Sequence, residues 1–131
     1  MATSVPARCI LVVDDEPLVC DSVKRVLMRD GHKVEAVAGP VEALALLESR
    51  SFDLVFVDYI MPGMKGDALA AAIKSLRPQQ PVVLMSATAD TLEISPMAGV
   101  DSMIGKPFEL DDLRRLIANI PSVRSGGQER V

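Results

Sequence analysis

Five short, mostly aliphatic runs separated by amphipathic stretches of helical period constrain this 131-residue chain more than any other feature. Such alternation marks an α/β chain with a parallel sheet covered by helices on both faces. A strand buried on two sides must be apolar throughout, whereas each helix needs only one apolar stripe. Cys9 to Val13, Leu54 to Val57 and Val82 to Met85 are continuous runs of the buried kind. Lys33 to Val37 alternates polar and apolar and reads as an edge strand, and Ser102 to Gly105 as a shorter fifth strand.

The intervening stretches carry helix punctuation. Pro17 opens a helix with Val19, Val23, Val26 and Leu27 on one face, and Gly31 stops it. Pro40 opens another with Val41, Leu44 and Leu47 inward. A loop with Pro62, Gly63 and Gly66 leads to a third, with Leu69, Ile73 and Leu76 inward and Pro78 closing it. The last helix turns Leu110, Leu113, Leu116, Ile117 and Ile120 inward before Pro121. Between the fourth and fifth strands Pro96 and Gly99 interrupt the pattern, so a fourth helix beginning near Asp90 is expected to be short or irregular. The folded unit is expected over residues 8 to 120, with 1 to 7 and 121 to 131 as tails.

Composition narrows the function classes. The chain has room for one domain, and 49% hydrophobic residues with only 3% aromatics describe an aliphatic core rather than a disordered segment. The net charge is −4 and the basic residues are scattered, which argues against direct nucleic-acid binding. The longest apolar run, Ala68 to Ile73, is six residues, and no secretory leader opens the chain, so no membrane insertion and a cytoplasmic location are expected. Cys9 and Cys20 have no metal or redox spacing and read as buried, inert thiols.

In a parallel sheet the strands point one way, so residues just past the strand ends gather along one rim. Asp14 and Asp15 follow the first strand, Asp58 the third, Ser86 the fourth and Lys106 the fifth. Three carboxylates held close repel one another unless a hard cation neutralises them, and Mg²⁺ takes oxygen ligands of this kind. Asp15 and Asp58 are expected as direct ligands, with Asp14 acting through water. A carboxylate oxygen of Asp58 not used by the metal could attack phosphorus, while Lys106 and the Ser86 hydroxyl stabilise the phosphoryl oxygens. Taken singly each residue has a blander use: Asp14 or Asp15 as a helix cap, Asp58 as a turn former, Ser86 as a loop hydroxyl, Lys106 as a surface charge. Their joint placement at successive strand ends is what points to chemistry.

The order VVDDE, VFVDYIMPGM, LMSAT, IGKPF resembles the receiver domain of bacterial response regulators over roughly residues 8 to 120. The resemblance implies a flavodoxin-like (βα)5 doubly wound parallel sheet in strand order 2-1-3-4-5. It implies acidic pocket residues Asp14 and Asp15, phosphoacceptor Asp58, the family's hydroxyl at Ser86 and its lysine at Lys106. It further implies the Ile60 backbone carbonyl as a Mg²⁺ ligand, and a sensor histidine kinase or histidine phosphotransfer protein as the partner that donates the phosphoryl group.

Two departures bear on mechanism. Receivers usually carry Tyr or Phe three residues before the lysine; here Met103 stands there, either as plain core or as part of an altered switch. The curtailed fourth helix lies on the face where many receivers dimerise or dock, so the common dimer is not expected. Ile60 and Thr88 flank Asp58 without a carboxylate or amide to orient water, so slow loss of an aspartyl phosphate is expected.

An aspartyl-nucleophile phosphohydrolase would need a second Asp two residues after the nucleophile, where this chain has Ile60; a self-modifying acceptor rather than an enzyme is therefore expected. A nucleotide-binding role lacks a glycine-rich loop after the first strand. The alternative is a phosphorylation-independent docking module with a receiver fold. Eleven residues follow Ile120, which suits a stand-alone receiver or one cut from a larger chain.

Overall fold

The structure, a computed structural model, describes residues 7–61, 63–86, 100–105 and 109–119. Its elements in chain order are β1 (Cys9–Val13), α1 (Pro17–Arg29), β2 (Lys33–Val37), α2 (Pro40–Ser49), β3 (Leu54–Asp58), α3 (Gly66–Leu76), β4 (Val82–Ser86), β5 (Ser102–Gly105) and α4 (Leu110–Asn119). All strand pairings are parallel, and the sheet order is β2-β1-β3-β4-β5. The edge position of β2 agrees with its alternating sequence. The irregular helix expected near Asp90 and the C-terminal tail fall outside the described residues.

The period-two alternation of the strands divides the core into two layers. Leu11, Val13, Val55, Val57, Val82 and Leu84 face one way and pack under α2 and α3 with Leu47, Leu69 and Ile73. Ile10, Val12, Leu54, Phe56, Val83 and Met85 face the other way, under α1 and α4 with Val23, Leu27, Leu113 and Ile117. At roughly 1.5–3 kcal/mol per fully buried aliphatic side chain, these two layers dominate the folding energy and hold the strand ends in fixed register.

Two expected core positions lie at the surface. Val41 is 77% exposed, because Ala43 and Leu47 form the buried stripe of α2 and Val41 lies roughly 120–160° round the helix from them. Leu76 shares the stripe of Leu69 and Ile73, yet as the last residue of α3 it is only partly covered, and Ala70 is buried in the helix interior instead. Cys9 is half-buried rather than fully buried, while Cys20 is in the core.

The amino rim of the sheet is tied by side chains that accept backbone hydrogen bonds at the strand starts. The Cys9 amide donates to Asp53 Oδ2 at 2.8 Å, the Arg8 amide to His32 Nδ1 at 3.1 Å, and the Val82 amide to Asp101 Oδ2 at 2.8 Å. Asp101 also pairs with Lys74 at 2.8 Å. Arg114 of α4 grips Asp30, the residue after α1, with two hydrogen bonds of 2.8 Å. These contacts leave the carboxyl rim for other work.

A candidate acidic cation and phosphoryl site

Register brings the carboxyl ends of β1 and β3 together. Val13 pairs with Val57, so the next residues, Asp14 and Asp58, emerge side by side. Oxygen atoms of Asp14, Asp15 and Asp58 all lie within 4.8 Å of one another. Asp14 is 1% exposed and Asp58 is buried, whereas Asp15 faces solvent. Two buried carboxylates with a third facing solvent form an acidic cluster, a donor set suited to a hard divalent ion.

Each acid is held by its backbone. The Asp14 amide donates to the Val37 carbonyl at 3.1 Å, joining the end of β1 to β2. Asp14 Oδ1 accepts the Glu16 amide at 2.9 Å. Neither Asp14 nor Asp15 caps α1: the capping position is Glu16, which makes no side-chain cap hydrogen bond, and Pro17 begins the helix. The blander helix-capping use of the acidic pair is therefore not the one adopted.

Asp58 is positioned from behind. The Tyr59 amide donates to the Met85 carbonyl at 2.8 Å, and the Gly66 amide to the Tyr59 carbonyl at 2.7 Å, which seats the start of α3 against the end of β3. The approach is too close for any other residue. A Cβ on Gly66 would lie 2.5 Å from the Asp58 carbonyl oxygen, 2.7 Å from Tyr59 Cα and 2.8 Å from Leu84 Cδ1. Sequence reasoning placed Gly66 in a turn and missed this role; a glycine at the first position of a helix, where nothing requires it, was the available signal. In the same loop Gly63 has φ +89°, a left-handed turn that favours glycine.

Ser86 ends β4, is buried, and pairs in register with Gly105 at the end of β5. It thus lies on the same rim as Asp58, one strand across. Lys106 follows Gly105 in sequence but falls outside the described residues. Ile60, in the loop after Asp58, is 60% exposed and presents its side chain to solvent. Met103 is partly buried, opposite Leu84, and lines a cleft of about 450 Å³ between β5 and α4 with Asp112, Arg115 and Leu116.

A sequence profile of the response regulator receiver domain matches residues 10–118. The chain belongs to that family. Among curated relatives it is 34% identical to the sensor histidine kinase AruS of Pseudomonas aeruginosa over 91% of this chain and 12% of the kinase. It is 36% identical to the transcriptional regulatory protein TcrA of Mycobacterium tuberculosis over 79% of this chain and 42% of the regulator. The chain thus spans less than half the length of either relative.

Solved receiver structures agree on the fold. The response regulator protein TrrA of Thermotoga maritima, crystallised in complex with Mg²⁺ and BeF, superposes with a TM-score of 0.81 at 28% identity, covering 87% of this chain and 99% of that one. A CheY-like receiver from Methanospirillum hungatei gives 0.79 at 31% identity, covering 95% and 98%. The receiver fold is therefore the flavodoxin-like, doubly wound α/β sheet that the sequence resemblance implied. No helix among the described residues is long and apolar enough to cross a membrane.

Proposed function

We propose that this receiver accepts a phosphoryl group on Asp58 from a phosphohistidine of a sensor histidine kinase or histidine phosphotransfer protein, and that the change controls a partner or an output. The observation that carries the reading is the convergence of Asp14, Asp15 and Asp58 within 4.8 Å at the carboxyl rim, with Asp58 buried and Ser86 one strand away. Three oxygen donors of like charge fit Mg²⁺, with Asp15 and Asp58 as direct ligands, Asp14 acting through water, and the Ile60 carbonyl completing the protein's share. When bound, Mg²⁺ neutralises the acidic recess and the charge that builds on the phosphoryl oxygens.

The remaining chemistry belongs to the chain. An Asp58 carboxylate oxygen attacks phosphorus in line; the new O–P bond forms as the P–N bond to the donor imidazole breaks, and the imidazole leaves with that electron pair. The Ser86 hydroxyl donates a hydrogen bond to one phosphoryl oxygen, and the Lys106 ammonium pairs with another. With Ile60 rather than an acid two residues after Asp58, no general acid is supplied for turnover of a separate substrate. The chain therefore promotes only its own phosphorylation and dephosphorylation. In this reading residues 8–120 form the working unit, flanked by tails, in the cytoplasm beside the donor.

Incubation with Mg²⁺ and a small acyl or amido phosphate, followed by intact-mass measurement, tests the proposal. The wild type gains one phosphoryl group and Asp58→Ala gains none; equal uptake by the variant refutes it.

A further inference from the structure

We propose that the Cys20 thiol is a positioning group for the cation site, fixing the peptide plane that joins Asp14 to Asp15. The inference rests on the reading of the acidic cluster as a Mg²⁺ site. Cys20 Sγ donates to the Asp14 carbonyl oxygen at 3.2 Å, within the core. That carbonyl belongs to the same planar amide as the Asp15 nitrogen, so holding the oxygen sets the direction in which Asp15 leaves the end of β1. Cys20 itself is held, because its amide donates to the Glu16 carbonyl at 3.1 Å at the start of α1.

The three acids need this help unequally. Asp14 has its amide on Val37 and its Oδ1 on the Glu16 amide, and Asp58 closes a buried strand. Asp15 is exposed, so burial does not fix its carboxylate, and its position depends on the backbone that precedes it. A thiol fits this position. Its donor is weak, but its Sγ reaches from the helix to the strand end, and its apolar body belongs to the buried cluster that includes Val12 and Val23. The side chain read from sequence as an inert core thiol thus touches the backbone of the cluster it lies under.

Calorimetric Mg²⁺ titration of the wild type, Cys20→Ala, Cys20→Ser and Cys20→Val tests the inference, with thermal midpoints taken in EDTA to register any packing loss separately. Loss of one neutral hydrogen bond that acts through the backbone is expected to weaken Mg²⁺ binding by roughly three- to tenfold in Ala and Val, while Ser, which keeps a donor, stays within about twofold of wild type. Autophosphorylation at rising Mg²⁺ should show a raised half-saturation point in Ala with the plateau rate recovered. If Ala fails to fold, the comparison of Val with Ser decides. Mg²⁺ affinity in Ala and Val equal to wild type, or a loss in Ser as large as in Ala, overturns the inference while leaving the site intact. A wild type that takes up no Mg²⁺ refutes the site itself, and this inference with it.

Discussion

Replacing Gly66 with Ala should cost stability even though alanine is the better helix former. A Cβ there would stand 2.5 Å from the Asp58 carbonyl oxygen and 2.7 Å from Tyr59 Cα, and neither backbone atom can rotate aside as a side chain can. Overpacking of this kind costs about 1–3 kcal/mol, and the propensity gain of Ala over Gly recovers at most about 1 kcal/mol. The difference is a net loss of up to about 2 kcal/mol, which corresponds to a fall of up to roughly 10 °C in the thermal midpoint of a domain this size. Because relief of the clash pushes the end of β3 away from α3, Asp58 moves with it, and Mg²⁺ affinity should fall as well. Gly63→Ala is the contrast: nothing lies within 4 Å of a Cβ there, and the cost comes from the φ of +89° alone. That variant should lose about 1–2 kcal/mol of stability while keeping Mg²⁺ affinity. Thermal unfolding followed by circular dichroism in EDTA, with calorimetric Mg²⁺ titration of each variant, separates the two effects. A Gly66→Ala protein with an unchanged or higher midpoint and wild-type Mg²⁺ affinity would refute the reasoning.

Three other expectations follow from contacts away from the acidic cluster or beside it. Burial holds the His32 imidazole below its ordinary value of 6.5, and its Nδ1 accepts the Arg8 amide, so the folded chain keeps it neutral. The unfolded chain takes up that proton first, so stability falls as pH drops below 6.5, by at most about 1.4 kcal/mol per pH unit. Denaturant melts of wild type and His32→Asn between about pH 7 and pH 5.5 should show a shallower slope in the variant. The hydrogen-bonded Arg114 guanidinium lowers the Asp30 carboxyl below 3.8, so this pair's contribution is present above that value and fades as pH falls beneath it. A double-mutant cycle should find favourable coupling at low salt that shrinks at high salt; coupling indifferent to salt would count against a charge pairing. Finally, if the proposed function holds, Ile60→Asn, which adds an amide two residues after Asp58, should lose the Asp58 phosphate faster than wild type in a radiolabel chase; a wild type equally fast or faster opposes that view.

The strands were legible because burial on both faces demands unbroken aliphatic runs, and β1, β3 and β4 answer that demand almost residue for residue. Their order was not readable from periodicity, which says nothing about which strand lies beside which; it came from the resemblance of the four strand-end motifs. Helix faces were read less well. Val41 looked like core because it is apolar and follows the helix-opening Pro40, but the buried stripe of α2 is set by Ala43 and Leu47, and a small alanine is a poor sequence signal. The buried polar groups of the amino rim, His32 and Asp53, were invisible for a related reason: each is satisfied by a backbone amide, and no pattern of residue types announces a backbone partner.

For the acidic cluster the sequence supplied residue types and strand ends, and the pairing of Val13 with Val57 supplied the proximity. What could not be read was how the acids are held. Gly66 acts through the atom it lacks, marked only by a glycine opening a helix, and Cys20 through a carbonyl six residues earlier in the chain, which composition and spacing do not mark.

The most direct test of the central claim is a crystal structure of this chain grown with Mg²⁺ and beryllofluoride. The account predicts Mg²⁺ among Asp14, Asp15 and Asp58, beryllium bonded to an Asp58 oxygen, and the Ser86 hydroxyl and Lys106 ammonium on the fluorines. An ion elsewhere, an unmodified Asp58, or Lys106 on the amino rim of the sheet would contradict it.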